Sequence, residues 1–278
     1  MNILSLSYGK DSLACFGACE QLGITIDRIV HAEVWATDTI PADLPPMVEF
    51  KKHADKIIKE RYGIEVEHYR ADLDYESGFY HKIKPETIAK RKEEGRHISK
   101  YQQYDDERAI WGFPIVLGPW CNSRLKMAAV KLANEQSQSN FQILGIAADE
   151  PKRIERHSKR DNVILPLVEI GWTEAMCREW CEQNDLLSPI YTTATRGGCW
   201  FCHNQGVDQL RLLRKNYPEL WALLLKWDKD SPVTFKPDGH TVHDFDRRFQ
   251  AEDNGIILPN DRTFRWSQID GEVQIKFF

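Results

Sequence analysis

No apolar run in this 278-residue chain approaches the ~20 residues needed to cross a bilayer. Its first residues go straight into an apolar strand pattern, without the basic and then hydrophobic segments of a secretory leader. Both absences lead to the expectation of a cytoplasmic protein with no membrane partner. An excess of positive charge is also missing: 37 Lys and Arg stand against 42 Asp and Glu, a formal net charge of −5. That balance argues against a protein whose whole surface grips nucleic acid and leaves room for a local basic patch. Internal repeats and low-complexity stretches are lacking, which argues against solenoids and disordered tracts. Two phosphate-binding signatures are absent, the G-x-x-x-x-G-K-[ST] loop and the dinucleotide-binding G-x-G-x-x-G. Cysteine is absent after Cys202; the seven in the chain all lie at or before that position.

What is present is ordinary for a folded chain, with 42% hydrophobic and 28% charged residues and enough length for one large domain or one and a half. Periodicity and breakers predict strands over 3–7, 28–35, 65–69, 141–146 and 163–165. They predict helices over 11–22, 47–62, 123–136 and 173–184. Continuous apolar strands separated by helices point to an α/β fold, a parallel sheet covered on both faces. In such a sheet, ligands bind beyond the carboxyl ends of the strands near the switch point, a rim that segments 7–12, 36–39 and 147–150 would share. Residues 75–112 interrupt the pattern as an insertion. Its 82–100 stretch has a basic bias from Lys82, Lys84, Lys90, Arg91, Lys92, Arg96 and Lys100. It reads as a solvated helix, with a lid or a nucleic-acid contact as the alternative. After Pro189 the texture changes to a Gly-Gly loop, a helix over 206–216, a Leu- and Trp-rich 220–227, and a polar remainder closing in a hairpin around Asp270-Gly271. The expected division is a main domain over 1–190 and an α-rich, irregular accessory region over 191–278.

The most informative segment is Ser7-Tyr8-Gly9-Lys10-Asp11-Ser12, where a strand ends and a helix opens that Gly23 stops. Such a loop directs backbone N–H groups into one concavity at the positive end of the helix dipole, which favours phosphate. Gly9 lets the backbone approach an anion, Lys10 adds a point charge, and Ser5, Ser7 and Ser12 bring hydroxyls. A plain strand–turn–helix is the bland alternative.

Four further segments carry chemistry. Asp38 and Thr39 follow the second strand, where a carboxylate suits Mg²⁺ or a nucleotide hydroxyl, or simply forms a turn. Gly145 to Arg153 places Asp149 and Glu150 beside Lys152 and Arg153 on the same rim. Cys121 opens a helix that also carries Arg124 and Lys126, within reach of phosphates. Cys199 and Cys202 form a C-x-x-C in a glycine loop, and with Cys121 make three thiols from two loops that suit a metal or cluster. A structural zinc on Cys121, Cys199, Cys202 and His203 is the competing arrangement. Cys15, Cys19, Cys177 and Cys181 read as core residues. Tyr191, Trp200 and Phe201 are placed to stack on a base or merely to pack.

These segments, in this order from Ile3 to about Arg211, resemble the phosphoadenosine-phosphosulfate-reductase-like family of the adenine nucleotide alpha-hydrolase superfamily, whose PP-loop members include ATP pyrophosphatases. The resemblance implies a Rossmann-like, HUP-type sheet of five parallel strands. It implies ATP or a related adenine nucleotide, with Mg²⁺, held by Ser5, Ser7, Gly9, Lys10, Asp11, Ser12, Asp38, Thr39, Gly145, Asp149 and Glu150. It assigns catalysis to Lys10, Asp11, Arg124 and Lys126, and a 4Fe–4S cluster to Cys121, Cys199 and Cys202, with zinc as the alternative. The implied reaction adenylates a substrate, nucleic acid among the candidates, for sulfur transfer supplied by a cysteine-desulfurase-like partner. A homodimer is compatible with it. The chain departs from the family at three points: Ala147 stands where many relatives carry Arg, Asn122 replaces a second cysteine, and the C-terminal nucleophilic cysteine of the assimilatory reductases is missing. Two other readings stay open: a sulfonucleotide reductase or sulfotransferase using another cysteine, and a zinc-stabilised, non-catalytic nucleotide-binding module.

Overall fold

A computed structural model of the protein describes residues 1–95, 109–115, 119–134, 140–192, 197–261 and 263–269. Arg96, Lys100, the Gln136 end of the expected helix, Arg196 and the hairpin around Asp270-Gly271 lie outside the described residues. The first elements along the chain are β1 (Asn2–Ser5), α1 (Lys10–Leu22), β2 (Arg28–Glu33), α2 (Pro45–Tyr62), β3 (Val66–Arg70), α3 (Tyr75–Phe79) and α4 (Pro85–Glu93). A π-helical turn, Asn122–Lys126, leads into α5 (Met127–Asn134), then β4 (Phe141–Ile143), α6 (Pro151–His157), β5 (Val163–Ile164), α7 (Pro166–Glu169) and α8 (Glu174–Gln183). The rest is a 3-10 turn, Pro189–Thr192, and helices α9 (Val207–Asn216), α10 (Pro218–Asp230) and α11 (Val242–Asp253). No described helix is long and apolar enough to cross a membrane.

The chain forms two compact units, residues 1–75 with 120–199, and residues 76–119 with 200–278. The first holds the expected sheet, five parallel strands in the order β3-β2-β1-β4-β5, a Rossmann-like α/β fold. Leu4 pairs with Ile29 on one side and with Ile143 on the other, which sets β1 at the centre. Alternate residues face opposite layers. Leu4, Ile29 and Ile143 join the core formed with α1 and α2, while Ile3 and Val30 pack with Ala133 of α5 on the other face. Two-sided burial explains why these strands are continuously apolar.

Three strands stop short of the apolar runs that announce them. β1 ends at Ser5, β2 at Glu33 and β4 at Ile143, although Leu6, Tyr8 and Ile146 beyond them are buried too. The chain leaves the ladder there to form the rim, so burial continues where pairing does not. α1 ends as expected, with Gly23 at φ 66 returning its N–H to the Cys19 and Glu20 carbonyls. Most of α1 is enclosed, because α7 and α8 cover it, and a Cβ on Gly17 would meet the Trp180 indole nitrogen at 2.3 Å. Cys15, Cys19, Cys177 and Cys181 lie in this core, where burial pushes the Cys19 thiol up to about 11 and the Cys177 thiol up to about 12.

The second unit is helical. Trp200 stacks on Trp227 at 5.6 Å and 12°, with Phe79 also against Trp227 and Phe113 edge-on to Phe235. α11 falls in the stretch expected to be irregular. Val242, Phe245, Phe249 and Ala251 mark its apolar face, and Thr241 and Asp244 make a reciprocal capping box at its start.

Candidate functional site

A cavity of about 650 Å³ opens in the first unit at the carboxyl ends of β1 and β2, where the chain order turns from β2 to β4 on either side of β1. The loop after β1 forms one wall. Ser5, Ser7, Tyr8, Gly9 and Asp11 line it, with Lys126 and Arg153 from the α5 and α6 segments and Cys199 beyond.

The loop's shape comes from its own hydroxyls. Ser12 Oγ donates to the Gly9 carbonyl at 2.9 Å and accepts the Ser7 amide at 3.2 Å, while Ser7 Oγ stands 3.0 Å from Ser12 Oγ. Ser12 is therefore buried and acts as a brace. Tyr8 takes φ 56, a left-handed conformation unusual for a residue with a side chain. Its ring is fully enclosed, and its hydroxyl donates to Asp55. Gly145 fits against the start of α1 so closely that a Cβ there would lie 2.6 Å from Asp11 and Ser12 backbone atoms. Its part is to let the loop after β4 approach the loop after β1.

Lys10 does not line the cavity. Its ammonium lies between Asp11 at 2.7 Å and Glu174 at 2.8 Å, and the residue is 9% exposed. Burial alone would lower its pKa, but the hydrogen bonds to Asp11 and Glu174 raise it above the ordinary value. The Asp11 carboxyl is also raised, because burial outweighs the pull of Lys10. The Lys10 amide donates to the Tyr191 hydroxyl at 3.2 Å, so a tyrosine oxygen sits where the helix start would otherwise offer an N–H.

The other expected residues divide. Asp38 and Thr39 are exposed in a turn that Thr37 closes by accepting the Thr39 and Ile40 amides, and neither lines the cavity. Asp149 accepts the Glu174 amide at 3.0 Å at the start of α8. Glu150 accepts the Ala147 amide and pairs with Arg153 at 2.7 Å. Ala147 is fully buried. Arg124 and Lys126 are exposed on the π-helical turn, a distortion often found at functional sites. Lys126 lines the cavity and makes no ion pair among the described residues.

Cys121 and Cys199 are half-buried in the first unit and Cys202 belongs to the second. Among the described residues, no group of three or more His, Cys, Asp or Glu side chains is placed to hold a metal ion. A 4Fe–4S cluster or a structural zinc needs at least three such ligands to converge.

The cavity is also lined by His31, Asp43 and Lys51, which carry no functional signal in the sequence, and by Tyr191. His31 Nδ1 donates to the Leu6 carbonyl at 2.8 Å, and its Nε2 accepts from Lys51 at 2.8 Å. Burial, reinforced by the Lys51 charge, lowers the ring to about 3 and keeps it neutral. His68 is its opposite. Hydrogen bonds to Asp55 and Glu33 raise it to about 9, and Glu33 falls to about 2 in return. In the sequence, His31 is a polar residue in an apolar strand, and Lys51 half of a Lys-Lys pair on an amphipathic helix. Both read as structure. No family model, curated protein or solved structure matches this chain.

Proposed function

We propose that the protein binds an adenine nucleotide as its Mg²⁺ complex in this cavity and transfers the adenylyl group to an acceptor, releasing pyrophosphate as PP-loop ATP pyrophosphatases do. The observation that carries the reading is the Ser7–Ser12 loop, braced between β1 and α1 and opening on the cavity at the sheet's switch point. In this reaction an acceptor oxygen attacks the α-phosphorus while the bond to the bridging oxygen of pyrophosphate breaks. The charge that develops passes to the leaving pyrophosphate, so cations and amides do most of the work.

Lys126 is the cation of the π-helical turn that lines the cavity, and Arg124 lies two residues before it. Asp11 puts a carboxylate in the cavity wall, suited to the Mg²⁺ that arrives with the nucleotide. Lys10, held by Asp11 and Glu174, positions that carboxylate. Sulfur transfer to the activated acceptor is the downstream chemistry that the family resemblance suggests.

Calorimetric titration with Mg-ATP tests the reading. The wild type should bind, and Lys126→Ala should weaken binding by about ten-fold or more at unchanged thermal midpoint, the loss of one charge-assisted contact. No binding of ATP, ADP or adenosine 3′,5′-bisphosphate overturns the nucleotide site. Binding without pyrophosphate release, across nucleic-acid and small-molecule acceptors, reduces the protein to a nucleotide-binding module.

A further inference from the structure

The cations around the cavity differ in how much donor capacity they keep. Arg153 pairs with Glu150, its Nη1 donating to both carboxylate oxygens at 2.7 Å. Lys10 lies outside the cavity lining, with two carboxylates, Asp11 and Glu174, on its ammonium. Lys51 is held differently. It reaches from α2 into the cavity wall with its side chain 14% exposed. Its ammonium donates to His31 Nε2 at 2.8 Å and to Asp43 Oδ2 at 2.5 Å, and stands 5.3 Å from the centre of the Tyr8 ring. An ammonium has three N–H donors. Among the described residues, the third has no acceptor.

The histidine explains why the arrangement persists. Because Nδ1 carries the proton donated to Leu6, Nε2 presents a lone pair to Lys51. Burial keeps the ring neutral, so it aims the ammonium without repelling or cancelling its charge. Asp43 offsets the cost of placing a cation in a half-enclosed wall. A lysine needed only as an ion-pair partner for Asp43 would need neither the imidazole nor the cavity.

We infer that Lys51 contacts the ligand, binding an anionic oxygen with its third N–H, while His31 and Asp43 are positioning residues that aim it. The identity of that oxygen as a nucleotide phosphate rests on the proposed function. The anion site itself does not.

The test titrates ATP, inorganic pyrophosphate and adenosine into wild type, Lys51→Met, Asp43→Asn and the double variant. Lys51→Met keeps the apolar stem over Tyr8 and removes the charge. It should weaken ATP and pyrophosphate by about ten- to a hundred-fold, the range of a charge-assisted contact, and leave adenosine unchanged. Asp43→Asn should weaken the anions less, and the double variant should show no further loss beyond Lys51→Met. A merely structural lysine would not discriminate phosphate-bearing ligands from adenosine. Equal affinity of wild type and Lys51→Met for ATP and pyrophosphate overturns the inference and leaves the nucleotide reading standing. Lys51-dependent binding of pyrophosphate with no binding of ATP or adenosine supports the inference and overturns the nucleotide reading. No binding of either anion overturns both. Should the variants fail to fold, reductive methylation of the wild type replaces them. Pyrophosphate should protect Lys51 from modification, and an unprotected Lys51 overturns the inference.

Discussion

Glu252, in the helical unit, has its side chain 3% exposed and receives Arg211 on one side and Arg248 on the other. Lys51, in the sheet unit, is comparably enclosed but receives a neutral imidazole and a single carboxylate, and faces a cavity. In the first case the buried charge is saturated by charges of the same chain, as is Arg214 between Asp246 and Asp253. In the second the shell is left one partner short. Saturated networks fix how helices pack; unsaturated ones at a cavity wall leave binding capacity for something that is not the protein.

The comparison breaks most visibly at Glu252. Glu252→Ala leaves two guanidinium groups without their shared carboxylate, and an uncompensated buried charge costs about 3–5 kcal/mol. Denaturant titration followed by tryptophan fluorescence should show that loss. Anion affinity, read on the variant still folded in buffer, should not move. A variant destabilised by less than about 1 kcal/mol would mean that the network is solvated and that the two kinds of burial do not differ.

Gly145→Ala reverses the pattern. The added methyl meets backbone atoms of Asp11 and Ser12, which have no rotamer to escape into. Overpacking of this kind costs about 1–3 kcal/mol, but here it displaces the start of α1. Pyrophosphate and ATP binding should be lost in a protein that still unfolds cooperatively. Retained affinity would detach the loop from the cavity's function.

Much of this contrast was legible in the sequence, and the remainder was not for definite reasons. Local signals were read correctly: Gly23 stops α1, the apolar runs found all five strands, and the buried thiols of α1 and α8 were assigned to the core. The apolar runs extend past the strand ends because Leu6 and Ile146 stay buried beyond β1 and β4. The loop was visible as glycine, serine and lysine between strand and helix, but not the direction of Lys10, which depends on Glu174 at a separation of 164 residues. His31 and Lys51 were invisible for the same reason. Each looks structural alone, and only their meeting across β2 and α2 at a cavity makes a site. α11 was missed because four apolar residues among charges are a weak periodic signal, and its capping box is what marks its start.

Protonation sharpens the comparison within the sheet unit, where the rings of His31 and His68 lie 5.4 Å apart. His68 titrates near 9 when folded, above its ordinary 6.5, so the stability it lends is whole below 6.5 and is lost as pH rises through about 9. His31 is lowered to about 3, so the unfolded ring takes its proton first, and stability is lost as pH falls from 6.5 towards 3. NMR titration of the ring carbon protons should give one midpoint near 9 and one ring silent above about 4. A His31 midpoint near 6.5 would mean that the ring is neither buried nor beside the Lys51 charge in solution.

The smallest change separates the loop's fold from its binding. Tyr191→Phe removes the hydroxyl that accepts the Lys10 amide and keeps the ring. A single neutral hydrogen bond is worth about 0.5–1.5 kcal/mol, and the stability of the free protein should fall within that range. Anion binding should not fall with it. The freed amide is the kind of donor a phosphate oxygen takes at a helix start, so pyrophosphate affinity should hold or rise. If affinity instead drops in step with stability, the hydroxyl belongs to the binding surface and the Lys10 amide is not the phosphate donor. The contrast between saturated and unsaturated charge would then rest on Lys51 and Lys126, two of the cavity's cations.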